Sequence, residues 1–534
     1  MTSSQTYDAV VIGSGPNGLV AANLLVDAGW SVVVLETQDE VGGAVRSADD
    51  VHPGYIHDTC SSFYPLAAAS PIVQALALEE HGLRWVHAPA VVGTPFADGS
   101  WALLQRSPED TAAGLDALAP GDGEAWLRLY EQWQRIGPHV IGALFTPFPP
   151  VRSGLGAAAR LRSVGGLDFV RTLVSPARAF ADRTFSGEAP KVLLAGNAGH
   201  ADIPMDSAGS AMFGWLLCML GQDVGFPVPE GGAGMLTQAM AHRLRAKGGE
   251  IRLGARANEI VVRNRVARAV RTEHGDEVVA THAVVADVSA PGLYGGLVSW
   301  DDLPARTRKR MTGFDWDPGT VKVDWALSGP IPWSTPAEAT PGTVHIAESI
   351  DEIATWGGLV NAGVVPEKPF LLVGQMAAAD PTRAPAGAES VWAYTHVPQR
   401  VRSDAGEDAI TGDWDAAELE RMADRMQARL EHYAPGFGDR IVARRALGPR
   451  ELEQHSENLV GGAVNGGTAQ LHQQLIFRPL PGTGRPETPV RHLYLGSASA
   501  HPGGGVHGAC GSNAAKAALT HQRLSRLWRG TDQP

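Results

Sequence analysis

The sequence predicts an α/β protein in which a Rossmann-like dinucleotide-binding domain is interleaved with a mixed α+β domain. Three observations predict it. A strand, glycine-rich turn, helix and second strand fill the first 36 residues; glycine-rich segments near residues 231 and 496–508 return late in the chain; and 534 residues exceed what one hydrophobic core usually supports.

The first unit opens with a short apolar strand over residues 8–12, followed by Gly13-Ser14-Gly15-Pro16-Asn17-Gly18, a helix to residue 28 and a strand over 31–35 that ends in Glu36. Each part has a physical task. Gly13 permits the tight turn, Gly15 lets main-chain N–H groups approach a pyrophosphate, and Gly18 lets helix and strand pack closely. The positive end of the helix dipole, opening at Pro16 and Asn17, faces the phosphates, and Glu36 is placed for ribose hydroxyls. Next comes the doublet Gly42-Gly43, with Arg46 three residues on, a close main-chain approach followed by a planar cation suited to phosphate or a ring carbonyl.

From about residue 90 the pattern turns helical, with Ser107 as an N-cap before Pro108. Around residues 229–235 the chain returns to the first domain through a helix over 236–247, strands over 250–253 and 258–263, a hairpin at 274–276 and a buried strand over 282–286. A strand over 492–496, the loop His501-Pro502-Gly503-Gly504-Gly505-Val506-His507-Gly508 and a helix over 513–527 complete it. The expected division is 1–90, 226–299 and 441–534 for the dinucleotide-binding domain, with 91–225 and 300–440 forming the second.

Composition narrows the function. A formal net charge of -13 argues against nucleic acid, which requires a clustered basic surface. The amino terminus has neither the basic region nor the apolar core of a secretion signal, and the longest apolar run, over 211–220, reads as a buried helix. Cys60, Cys218 and Cys510 lie far apart without Cys-x-x-Cys spacing, which fits a reducing, cytoplasmic setting and excludes a dithiol redox centre. No His-Glu-x-x-His or Cys/His cluster has ligand spacing, so no metal is expected. Residues 152–183 mix six arginines with apolar residues, a composition suited to a helical lid or to peripheral contact with an anionic membrane.

The glycine motif at 13–18, the doublet with Arg46, the Gly231-Gly232 return and residues 496–508 together resemble the glycine-doublet flavoproteins. The likeness is strongest to the phytoene dehydrogenase-related group, which includes the pyridine nucleotide-disulphide oxidoreductase domain-containing 2 type and the carotenoid desaturases. The resemblance implies FAD, with adenosine on the unit 13–36 and the isoalloxazine at the carboxy-terminal glycine loop. By the same resemblance Ile260 and Val261 would meet the adenine side through main-chain groups, and Ala286, Gly496, Ser497, Gly504, Gly505, Val506 and Gly508 would line the cofactor.

Lys322, in a strand-like run over 319–327, resembles the lysine that amine oxidases hold over flavin N5 through a water; the alternative is an exposed edge-strand lysine. His501 and His507 flank the glycine loop, where an imidazole could take a proton. No second glycine fingerprint follows a strand, so electrons pass to oxygen, a quinone or a partner, or return to the substrate in an isomerisation. The expected reaction is FAD-dependent desaturation of a small apolar, isoprenoid- or lipid-like substrate, with hydride transfer to flavin N5 and the base unassigned. Amine-oxidase-like C–N oxidation, with Trp316 or Trp325 facing the pocket, and a flavin-holding interaction protein are the alternatives.

Overall fold

In the computed structural model, which describes residues 5–530, two seven-stranded sheets face each other across the molecule. The residues 1–4, read above as free of a secretion signal, lie outside the described ones. The first sheet runs in the order Ala257–Arg263, Val266–Thr272, Glu277–Ala286, Gln5–Ile12, Val32–Leu35 and Glu250–Arg252, with Leu493–Leu495 pairing on Glu277–Ala286. Its central pairings are parallel: Ile12 lies beside both Leu35 and Ala286, and Ala286 beside Leu495. Such strands are covered on both faces, which is why Ala9, Val10, Val11, Val33 and Val34 are all fully buried. Helix Pro16–Asp27 packs beneath the sheet with Gly234–Ala246 and the closing helix Ala509–Gly530.

The second sheet is ordered Ile441–Leu447, Gly319–Leu327, Glu389–Val397, Leu371–Gln375, Pro341–Ile346, Ala90–Pro95 and Trp101–Leu104. The dinucleotide-binding domain is expected to resume at residue 441. Instead Ile441–Leu447 completes the second sheet, pairing antiparallel with Gly319–Leu327 in the register Lys322 opposite Leu447. Its basic, half-buried sequence carries no signal of which sheet it joins, and pairing decided it.

Side-chain alternation gives this sheet two different faces. Val321, Val323, Trp325 and Leu327, with Val391 and Ala393, bury against Met422, Met426 and Phe437 from helix Ala416–Tyr433 and the turn beyond it. Lys322, Asp324, Trp392, Tyr394 and His396 lie on the other face, which meets the segment after the glycine doublet and a helical cap. The cap contains Asp122–Leu144, Glu188–Gly199 and Ser210–Asp223, whose Trp126, Leu193 and Trp215 form its core. Helix Ser210–Asp223 covers the apolar run read as a buried helix. No helix among the described residues is long and apolar enough to cross a membrane.

Candidate functional site

At the first turn, clearance explains the glycines. A Cβ on Gly18 would lie 2.2 Å from the Gly13 carbonyl oxygen, and Gly13 itself has φ +92°. Helix Pro16–Asp27 opens with Gly15 at its N-cap, which has no side chain to cap it, and its own first turn carries no acid. The Gly18 N–H of that turn is taken by Asp287 from the end of another strand, and the rest of the positive end is open to an anion. Gly43 closes on this turn, since a Cβ there would sit 3.3 Å from the Gly15 Cα. Glu36 is buried, and one carboxylate oxygen accepts from the Ser14 N–H (2.8 Å) and hydroxyl (2.6 Å) while the other accepts from the Gln38 N–H (2.9 Å). It thus fixes the loop it belongs to and retains lone pairs for ribose.

Arg46 is buried rather than solvated: it donates to the carbonyls of Gly43 (2.9 Å) and His455 (2.6 Å) and pairs with Glu40 (3.1 Å). Sequence reasoning missed Asp287, one residue past Ala286, which accepts from the Gly18 N–H at 2.8 Å. Burial pushes its carboxyl up to about 7, helped by nearby Glu36 and opposed by that hydrogen bond. Ile260 and Val261 stand apart from the turn. Their strand is the far edge of the sheet, two strands removed from Gln5–Ile12, and the Ile260 N–H is committed to the Leu297 carbonyl (2.8 Å). Residues 252–255 take the place beside the acid: the Glu36 N–H donates to Arg252 and the Ala255 N–H to Glu36.

The two ends of the chain meet here. Gly496 donates to the Ala286 carbonyl at 2.8 Å, carrying Ser497 to the same sheet end. The loop beyond is wedged between neighbours: a Cβ on Gly508 would approach Val20 at 2.8 Å, one on Gly505 would approach Leu66 at 2.8 Å, and one on Gly504 would collide with Asn465. Val506 packs partly buried against the first sheet's core. Gly511 touches the first helix so closely that a Cβ would lie 1.9 Å from the Asn17 carbonyl oxygen.

His507 Nδ1 accepts from the Ala509 N–H at 3.0 Å at the start of the closing helix. Burial lowers its pKa to about 4, so the ring caps that helix as a neutral group. His501 turns its Nε2 to the Thr146 carbonyl (3.0 Å) in the helical cap, and burial lowers its pKa as well. Neither imidazole is brought to the face holding Lys322. Cys510 is a small buried residue whose thiol burial pushes up to about 12.

Lys322 is 2% exposed and lies on an interior strand of the second sheet, so the edge-strand alternative does not hold. Its compensation is two residues away on the same face: the ammonium pairs with Asp324, which also pairs with Arg445 (2.8 Å), which in turn reaches Asp50 (2.6 Å). Burial alone would raise the Asp324 carboxyl, but Lys322, His57 and Arg445 hold it below its ordinary value. The segment after the glycine doublet crosses this face, with Tyr55 donating to the Leu327 carbonyl (3.1 Å) and His57 Nε2 lying 3.2 Å from the Trp325 carbonyl. Arg383 ties the segment after the glycine doublet to the turn that precedes strand Glu389–Val397. Fully buried, it grips Asp58 at 3.0 and 2.5 Å and Asp380 at 3.3 Å, while Asp380 also receives the Gly231 N–H (2.7 Å).

Burial pushes the Cys60 thiol up to about 11 and the His200 ring down to about 4; both are half-buried, as is Tyr394, directly opposite Lys322 in the sheet. Trp392 stacks on Tyr394 at 5.9 Å and Phe63 adjoins it, giving this face an aromatic run. Further along the same face His396 pairs with Asp202 at 2.6 Å; Asp202 also receives Asn465 (2.6 Å), the residue against Gly504. Burial would lower the His396 pKa, but Asp202 outweighs it and holds the pKa above its ordinary value. This pair floors a cavity of about 250 Å³ whose walls include Trp316 and Trp356. The alternation Trp392-x-Tyr394-x-His396 was the only sequence signal for these residues; Asp202 and Asn465 had none. Trp325 faces the opposite core.

A dinucleotide cradle built from both chain ends, set against a sheet face that carries a buried, paired lysine, defines a flavin-dependent oxidoreductase of the two-sheet type. The chain belongs to the family of flavin containing amine oxidoreductases, whose pattern it matches over residues 17–294. It is 28% identical to the mouse (Mus musculus) pyridine nucleotide-disulfide oxidoreductase domain-containing protein 2, across 95% of this chain and 92% of that protein. It is 26% identical to the lycopene-forming phytoene desaturase of Pantoea ananas, across 96% and 99% of the two chains. In fold it is similar to an oxidoreductase from Methanosarcina mazei (TM-score 0.62, 16% identity, 96% and 99% covered) and to a putrescine oxidase (TM-score 0.61, 18% identity, 97% and 100% covered). Its cofactor is FAD, and the open helix end, the clearance at Gly13 and Gly18 and the converging carboxy-terminal loop fit that dinucleotide.

Proposed function

We propose that the protein desaturates a mostly apolar, isoprenoid- or lipid-like molecule. FAD, when bound, supplies the hydride acceptor. The observation that carries the reading is the aromatic run of Phe63, Trp392 and Tyr394 on the sheet face that also carries the buried, paired Lys322, opposite Tyr394 in the register. Such side chains orient an apolar chain and exclude water, which is what the protein must contribute when the cofactor carries the chemistry. Lys322, held by Asp324, keeps a fixed donor on this face and is the residue assigned to reaction with the electron acceptor, oxygen or a quinone. Its place also supports C–N oxidation as a second reading, although Trp325, one of the aromatics proposed for that pocket, belongs to the other face.

Anaerobic mixing of the yellow holoprotein with isoprenoids, unsaturated lipids and amines tests this. Bleaching of the flavin band by an isoprenoid or lipid is expected, whereas bleaching by amines alone, with peroxide released in air, would replace desaturation by amine oxidation.

The apolar substrate has a matching route. Val151, Leu155, Leu167 and Val174 are exposed on helices Val151–Arg160 and Leu167–Val174, among exposed Arg152, Arg160 and Arg162. A second exposed apolar strip, Leu471 to Phe477, adjoins them through Gly209, which donates to the Val174 carbonyl (3.1 Å) and abuts Leu471. Apolar side chains ringed by arginine suit an anionic bilayer surface. The protein should float with anionic liposomes at low salt, and its remaining in the dense fraction there would remove this contact.

A further inference from the structure

Arg478 is fully buried, and no carboxylate lies within ion-pair distance among the described residues. Its guanidinium donates to neutral carbonyls: the main-chain oxygens of Ala498 (3.1 and 2.8 Å), Asn465 (2.9 Å), Thr468 (2.9 Å) and Gly467 (3.2 Å), and the side-chain amide oxygen of Gln474 (3.1 Å). Buried cations are ordinarily matched by an anion, because dipoles offset only part of the lost hydration. Asp317 is the nearest acid to influence it, and burial pushes that carboxyl up, toward its neutral form. Burial lowers the Arg478 pKa to about 10, which keeps it charged at neutral pH, held by carbonyl dipoles without a carboxylate in ion-pair contact.

Its position is specific. A Cβ on Gly503 would lie 3.2 Å from Arg478 Nε and 3.3 Å from Cζ, so the guanidinium lies directly behind the backbone of the carboxy-terminal glycine loop. Every titratable side chain on that loop registers the charge: Arg478 contributes to lowering His501 and His507 and opposes the rise of Cys510. These three groups are neutral near pH 7, which leaves Arg478 as the positive charge at the loop.

We infer that Arg478 is a positioning residue that acts through this loop, stabilising the negative charge that FAD gains when a hydride leaves the substrate carbon with its electron pair. The proton released from the neighbouring carbon goes to solvent or a base and is not taken by Arg478. A fixed charge behind the loop requires no reorganisation as the reaction proceeds, which is the condition for strong electrostatic stabilisation. The inference rests on the FAD-dependent reading but not on the identity of the substrate.

The test is the two-electron midpoint potential of the holoprotein for the native chain, Arg478→Lys and Arg478→Gln, with FAD content and Tm measured for each. Arg478→Gln should make reduction at least about tenfold less favourable, a fall of roughly 30 mV for a two-electron couple. Arg478→Lys should recover most of it. A Gln variant that keeps FAD and the native potential would overturn the inference, as would a Lys variant no better than Gln. Should the Gln variant fail to fold, the native protein decides alone. Its reduced flavin should stay anionic at a pH where free reduced FAD in the same buffer has taken up its proton, and protonation in parallel with free FAD would overturn the proposal. A native chain that binds no FAD would instead defeat the flavoprotein reading itself.

Discussion

In the nucleotide-binding half the functional surface is main chain, whereas in the facing sheet it is side chain. Around Gly13–Gly18, Gly42–Gly43 and Gly503–Gly508 the working groups are amides brought close because side chains are missing, and a single added Cβ meets backbone at 1.9–2.9 Å at Gly13, Gly18 or Gly511. On the facing sheet, Lys322, Asp324, Arg445, His396 and Asp202 are ionisable groups held by one another largely out of water. The first surface fails when atoms are added, and the second when atoms are taken away.

Arg383 joins the two halves, so its removal should be felt most. Arg383→Met leaves Asp58 and Asp380 buried beside an apolar side chain and should destabilise the protein by about 3–5 kcal/mol in urea denaturation. A loss below about 1 kcal/mol would mean that the Arg383 ion pairs do not hold these segments together. On the main-chain side, Gly511→Ala forces the closing helix off the Asn17 carbonyl. It should lose about 1–3 kcal/mol and most of its bound FAD, read from flavin absorbance per polypeptide.

Lys322→Met sharpens the contrast, because it deletes chemistry without touching the cradle. Asp324 keeps Arg445, so FAD content should be native while stopped-flow reoxidation slows by about tenfold or more. Unchanged reoxidation would remove the assigned role. The smallest effect belongs to His507→Ala, which removes a helix cap and should lose about 1 kcal/mol. His507 titrates near 4 when folded and near 6.5 when free, so the unfolded chain binds the extra proton between those values. Its contribution is present above pH 6.5 and is lost as pH falls toward 4, so the alanine variant should show a shallower fall in stability across that window. An equally steep fall would show that His507 is not the neutral cap.

How much was legible follows the same division. Gly13, Gly15, Gly18, Glu36, Arg46 and the loop 503–508 can be read from sequence because main-chain sites depend on local order: a turn, a missing Cβ, a helix that begins on cue. The Gly319–Leu327 strand was likewise visible, but its rank in the sheet was not, and that rank decides whether Lys322 meets water or Asp324. His501 and His507 look alike on paper; one ring reaches the Thr146 carbonyl in the cap and the other bonds a helix start two residues away. Ile441–Leu447, expected with the first domain, joined the second because strand pairing is long-range.

The chain's own order therefore determined that this is an α/β flavoprotein whose two ends form one cradle, since period-2 and period-3.6 patterning and glycine placement act over a few residues. The tertiary structure alone decided which charges are buried and with whom. Arg478 and Arg383 are each one arginine in the sequence, and only the fold surrounds the first with carbonyls and the second with carboxylates. A charge takes its energy from every neighbour within several ångströms, and those neighbours come from distant stretches of the chain.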